Sequence, residues 1–187
     1  MLNILGISCF YHDSAAALVQ DGVIIAAAQE ERFSRIKHDP SFPSNAINYC
    51  LEEAYLEADK LNAIIFYDNP IYSLDRLLKT FIHSNDDSSR YFCKVLPRFL
   101  KTKFSIHKLI RDFLKVEVPI YLCRHHLSHA ASAFYPSPFE NAAILTIDGV
   151  GEWATTSICI GQGNDIKTLK EIKFPHSIGL LYSAFTY

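Results

Sequence analysis

Five things are scarce or missing in this chain, and the first four narrow the class of function. There is no basic excess: 18 lysines and arginines face 20 aspartates and glutamates, a formal net charge of -2. A duplex-binding surface needs a clear surplus of cations, so no nucleic-acid partner is expected. There is no disulfide framework. Cys9, Cys50, Cys93, Cys123 and Cys159 are odd in number, scattered and without a Cys-x-x-Cys pair, so they read as free, buried thiols of a reducing, cytoplasmic compartment. The first residues, Met-Leu-Asn-Ile-Leu-Gly-Ile-Ser, lack the basic start and long apolar stretch of a signal peptide. No run approaches membrane-spanning length, so no membrane partner is expected either. A stop signal is also missing at the other end, where Leu-Leu-Tyr-Ser-Ala-Phe-Thr-Tyr has helical potential but no cap. The expectation is a fragment cut inside an element. With 49% hydrophobic and 20% charged residues among 187, the chain can bury a core of one large domain or two small ones.

What is present concentrates between Arg124 and Trp153. His125 and His129 are four residues apart in a run of small residues, a spacing that stacks both imidazoles on one helical face. Ala142 to Ile147 is an apolar run closed by Asp148. It predicts a parallel strand that delivers its carboxylate to the carboxyl edge of an open α/β sheet. Two imidazoles and a carboxylate suit a divalent first-row cation, zinc or iron, with coordination positions left open. Buried histidines often only satisfy hydrogen bonds, and Asp-Gly is also an ordinary hairpin turn. Gly149 and Gly151 would let backbone N–H groups approach a phosphate or oxyanion.

In chain order, Leu2 to Ser8, Ala15 to Gln20 and Val23 to Gln29 predict three antiparallel strands, with Asp21-Gly22 as a two-residue turn. A sheet that begins this way, with polar His12-Asp13-Ser14 in its first turn, is how the actin-like, ribonuclease-H-like α/β fold starts, although periodicity alone allows any α/β protein. Residues 30 to 39 carry dense charge of both signs. Such a run is usually a solvated loop, yet Arg32, Arg35 and Lys37 follow a central strand and suit an anionic substrate. Ser44 is a candidate cap for a helix from Asn45 to about Ala58. Ala63 to Tyr67 is strand-sized. From about 70 to 115 the apolar positions recur at helical spacing, predicting a helical insertion broken near Ser84 to Ser89 and at Pro97. Its basic amphipathic face suits a membrane or partner surface, but packing against the sheet is the commoner use of such a face. Val118 to Cys123 then predicts a strand leading into the His125 helix. Ala154 to Ile160 and Ile166 to Phe174 form a second hairpin around Gly-Gln-Gly-Asn, and a last helix starts at Ile178.

Three segments together resemble the O-carbamoyltransferases of the nodulation and antibiotic-biosynthesis type. They are Gly-Ile-Ser-Cys-Phe-Tyr-His-Asp-Ser-Ala-Ala-Ala (6 to 17), Gln-Glu-Glu-Arg-Phe-Ser-Arg-Ile-Lys-His-Asp (29 to 39), and His-His-Leu-Ser-His-Ala-Ala-Ser-Ala-Phe (125 to 134) running on to Asp148-Gly149. The resemblance implies the N-terminal part of a catalytic domain with an actin-like ATPase fold, a mixed sheet with flanking helices. It implies transfer of a carbamoyl group from carbamoyl phosphate to a hydroxyl, through a carbamoyl-adenylate made with ATP. It also implies His125, His129 and Asp148 as metal ligands, with a further aspartate ligand beyond the chain, and His12 beside the carbamoyl group. Lys37 is expected on the donor phosphate, assisted by Arg32 or Arg35. The fragment alone is expected to be inactive.

Two other classes stay open on the residues alone. An actin-like sugar kinase or ATPase fragment would use Asp148 as a base or magnesium ligand. A non-catalytic metal-binding module would keep the claw and do no chemistry. The acceptor carries no motif, and the open sheet edge allows a homodimer.

Overall fold

The computed structural model describes residues 1–83 and 88–186, and for 88–91 the backbone alone. It divides into two compact units, residues 1–67 with 86–122 and residues 68–85 with 123–187.

In the first unit, strands β1 (Asn3–Ser8), β2 (Ala15–Gln20) and β3 (Val23–Gln29) form an antiparallel meander. The β2–β3 turn is Asp21-Gly22, both residues at positive φ, as a tight right-twisted hairpin demands. After helices α1 (Glu31–Ser34) and α2 (Ser44–Glu53), strand β4 (Ala63–Phe66) pairs parallel to β1. Strand β5 (Ile120–Leu122) pairs parallel to β4, giving the order β3-β2-β1-β4-β5. A meander continued by parallel strands on the β1 side is the ribonuclease-H-like arrangement of the actin-like ATPase fold. Alternation along β1 places Leu5 and Ile7 in a core with Leu18, Ile47, Ile64 and Phe66, while its other face is half-buried.

Helix α2 differs from expectation at both ends. It ends at Glu53, and Tyr55 two residues on is left-handed at φ 51, a conformation no helix continues through. Ser44 is its first residue rather than its cap, and no side chain caps it locally. Glu30 does so from a distance. Its buried carboxyl accepts from Asn45 N (3.2 Å), Asn45 Nδ2 (2.6 Å) and Ala46 N (2.9 Å), meeting the unpaired N–H groups of the first turn.

The stretch from 70 to 115 contains α3 (Pro70–Ile82), α4 (Ser88–Lys101) and α5 (Ile106–Leu114). Asn69 caps α3 by accepting from Ile71 N, with Pro70 at the first position, where its missing N–H costs nothing. The expected break at Pro97 does not occur, because α4 runs through that proline. Of the expected break from Ser84 to Ser89, residues 84–87 lie outside the described residues, and Ser88 and Ser89 already belong to α4. Among the described residues no helix is long and apolar enough to cross a membrane.

In the second unit, helix α6 (His125–Phe134) is followed by β6 (Asn141–Ile147), β7 (Ala154–Gln162) and β8 (Asp165–Lys173), then α7 (Ile178–Thr186). The three strands make a second antiparallel meander, order β6-β7-β8. The strand carrying Asp148 is therefore not parallel to a neighbour among the described residues. An apolar run closed by aspartate looks the same in either direction, since strand direction is set by a partner distant in sequence. Ala130 and Phe134 of α6 pack on Ile144 and Cys159.

Candidate functional site

Helix α6 begins at His125, directly after the extended Arg124. Its first and second turns bring His125 and His129 onto one side, their Nε2 atoms 3.1 Å apart. Asp148, one residue past the end of β6, continues the ladder by donating its N–H to Thr155 O at 2.8 Å. Its Oδ2 lies 2.6 Å from His125 Nε2 and 3.8 Å from His129 Nε2. The sequence-predicted trio thus converges on one point, each residue offering a ligand atom within 4.8 Å of the others. Hydrogen bonds from His125 and then His129 hold the Asp148 carboxyl far below the usual carboxylate range.

In its chemistry, two imidazole nitrogens and a carboxylate, the donor set suits a single divalent ion. With metal–ligand bonds of about 2.1 Å, two donors on one ion lie about 3.0–3.4 Å apart, a range that holds the 3.1 Å between the two Nε2 atoms, with the 2.6 and 3.8 Å to Asp148 Oδ2 on either side of it. Both histidines present the same nitrogen, and His125 is shielded while His129 faces solvent, at 12% and 51% side-chain exposure. An ion held there would have protein on one side and open positions on the other.

Glu152, which the sequence did not single out, holds this arrangement from behind. It is buried, and its Oε1 accepts from His125 N at 3.1 Å and from Asn69 N at 2.6 Å. It therefore ties the first N–H of α6 to the start of α3. Burial, together with the nearby Asp68, raises its carboxyl to about 7. The available signal was its place between glycines and Trp153, which tethers the same loop by donating Nε1–H to Asp75 at 3.0 Å. Burial lowers His126, beside the trio, to about 4. Its Nδ1 lies 2.7 Å from Ser157 Oγ and 2.8 Å from Thr146 Oγ1.

Gly151 also meets a steric demand, separate from the expected approach to a phosphate or oxyanion. A Cβ there would lie 2.6 Å from Ala154 O, 3.0 Å from His125 Cδ2 and 3.2 Å from His126 Cδ2. The imidazoles rest directly on its backbone.

The remaining predicted residues belong to the first unit. His12 sits in the β1–β2 turn with Nδ1 2.7 Å from Asp13 Oδ2. Arg32 lies in α1, and Arg35, its left-handed C-cap, and Lys37 follow; all three are exposed. The structure gathers His12, Asp13, Glu31 and His38 into one polar cluster, of which sequence reasoning had picked only His12.

The family model described as carbamoyltransferase N-terminus matches residues 3–187. The chain is 51% identical over 195 residues to the uncharacterized protein sll1178 of Synechocystis, covering all of this chain and 32% of that protein. It is 38% identical over 179 residues to the nodulation protein NolNO of Sinorhizobium fredii, covering 92% of this chain and 25% of that protein. The chain thus spans between a quarter and a third of these relatives. Among solved structures, YeaZ from Pseudomonas aeruginosa is 13% identical with a TM-score of 0.44, over 90% of this chain and 66% of that one.

Proposed function

Since the chain belongs to the carbamoyltransferase N-terminus family, we propose that it forms the first part of the catalytic domain of an O-carbamoyltransferase. In this reading a carbamoyl group passes from carbamoyl phosphate to a hydroxyl acceptor through a carbamoyl-adenylate made with ATP. The observation that carries it is the convergence of His125, His129 and Asp148 within ligand distance of one another.

His125, His129 and Asp148 would hold a divalent iron or zinc ion. When bound, that ion would supply Lewis-acid stabilisation of charge developing on carbamoyl or phosphate oxygens. His12 orients the carbamoyl group and receives the proton of the attacking hydroxyl. Lys37, with Arg32 or Arg35, binds the anionic donor, lysine as a point charge and arginine through its planar fork.

Two measurements on the intact protein test the proposal. Exchange of labelled pyrophosphate into ATP is expected only when carbamoyl phosphate is present, and exchange indifferent to it overturns the adenylate route. His129→Ala is expected to lose stoichiometric metal in elemental analysis, and unchanged metal overturns the ligand set.

A further inference from the structure

The turn between β1 and β2 does not stand alone. It is laced to residues 39 and 40 by Phe10 N–H donating to Pro40 O and Ser14 N–H donating to Asp39 O, both at 2.9 Å. That lacing brings His38 against Asp13. One carboxylate oxygen of Asp13 lies 2.7 Å from His12 Nδ1 and the other 2.9 Å from His38 Nδ1. His38 is itself fixed, since its backbone N–H donates to Glu31 Oε2 at 2.9 Å. Asp13 and His38 are both left-handed, at φ 51 and 56, a conformation that aspartate and histidine tolerate better than most side chains.

We infer that Asp13 is a positioning residue for His12, and that His38 and Glu31 hold Asp13 in place. The inference rests on the proposed role of His12. An ionised carboxylate only accepts hydrogen bonds, and hydrogen bonds from His38 and then His12 hold Asp13 below the usual carboxylate range. Each imidazole must then carry its proton on Nδ1. For His12 this leaves Nε2 with a free lone pair, directed away from Asp13. As the acceptor oxygen attacks the carbamoyl carbon, its O–H bond breaks, an Nε2–H bond forms, and the adenylate leaves as AMP. The positive charge gained by the His12 ring is balanced by Asp13, and the ring later returns the proton to solvent. With both Asp13 oxygens engaged, the carboxylate cannot swing and the His12 ring cannot flip without losing its partner.

The test uses the intact protein with histidine labelled in its ring nitrogens. Long-range proton–nitrogen spectra at a pH where the rings are neutral report the tautomer, His12 being assigned by its loss in His12→Gln. Wild type is expected to show His12 as the Nδ1–H form, and Asp13→Asn a mixture with Nε2–H. Asparagine tolerates the left-handed turn, so the variant should fold. Carbamoyl transfer by Asp13→Asn is expected to fall in kcat by about 10²- to 10⁴-fold, with KM for carbamoyl phosphate unchanged. His38→Asn should fall about tenfold, the usual lower bound for losing a group that orients a ligand. An unchanged tautomer in Asp13→Asn, or full kcat with His12→Gln inactive, overturns the inference. Activity surviving in His12→Gln instead removes the catalytic reading of His12, while the tautomer result still decides whether Asp13 fixes the ring.

Discussion

A glycine under two imidazoles is a constraint that acts through a single missing methyl group. Gly151→Ala would set a Cβ 2.6 Å from Ala154 O and 3.0 Å from His125 Cδ2. Backbone and ring cannot both stay, so His125 must tilt off the axis it shares with His129 and Asp148. Metal affinity is expected to drop on the order of 10- to 100-fold, as when a ligand's supporting partner is lost. Gly149→Ala is the control, because its Cβ would meet only Leu180 at 3.7 Å, an ordinary contact. Chelator competition on the intact protein measures both, and equal affinities would show that the contact with Gly151 is not what aims His125. The trio itself was legible in sequence because helical spacing fixes direction at short range. Glu152 was not, because its partners are the backbone N–H groups of Asn69 and His125, and backbone donors leave no mark in a sequence.

At the scale of elements, the same blindness explains α2. Its apolar spacing announced a helix, but its start is fixed by Glu30 rather than by Ser44. Glu30→Gln keeps one accepting oxygen and turns an NH₂ toward Ala46 N–H, leaving two donors face to face in a buried site. The expected cost is about 1–2 kcal/mol, read as reduced protection of the α2 amides in hydrogen exchange. Protection equal to wild type would mean that another group caps the helix. The β1–β2–β3 meander was legible because its strands are joined by tight local turns. The direction of β6 and the passage of α4 through Pro97 were not, since both depend on what packs alongside.

The molecule as a whole repeats one plan, a three-stranded meander in each unit. In the second unit that plan encloses two titratable groups whose environments pull in opposite directions. Glu152 is raised from about 4.5 to about 7 by burial and Asp68. Below pH 4.5 it is protonated folded or unfolded; as pH rises to 7 only the unfolded chain ionises, so stability is lost on the way up. His126 is lowered from 6.5 to about 4 by burial. Above pH 6.5 it is neutral in both states; as pH falls toward 4 only the unfolded chain gains the proton, so stability is lost on the way down. Between pH 4.5 and 6.5 the two slopes nearly cancel, and protection of the α6 and β7 amides in metal-free protein, corrected for intrinsic exchange, is expected to be almost flat. Glu152→Gln removes one arm. Its Oε1 still accepts from His125 N and Asn69 N, and its amide takes the place of the proton shared with Asp68. The variant should therefore lose protection steadily as pH falls from 6.5 to 4.5, on the order of 1 kcal/mol per pH unit. A variant as flat as wild type would mean that His126 takes up its proton in the folded chain as readily as in the unfolded one.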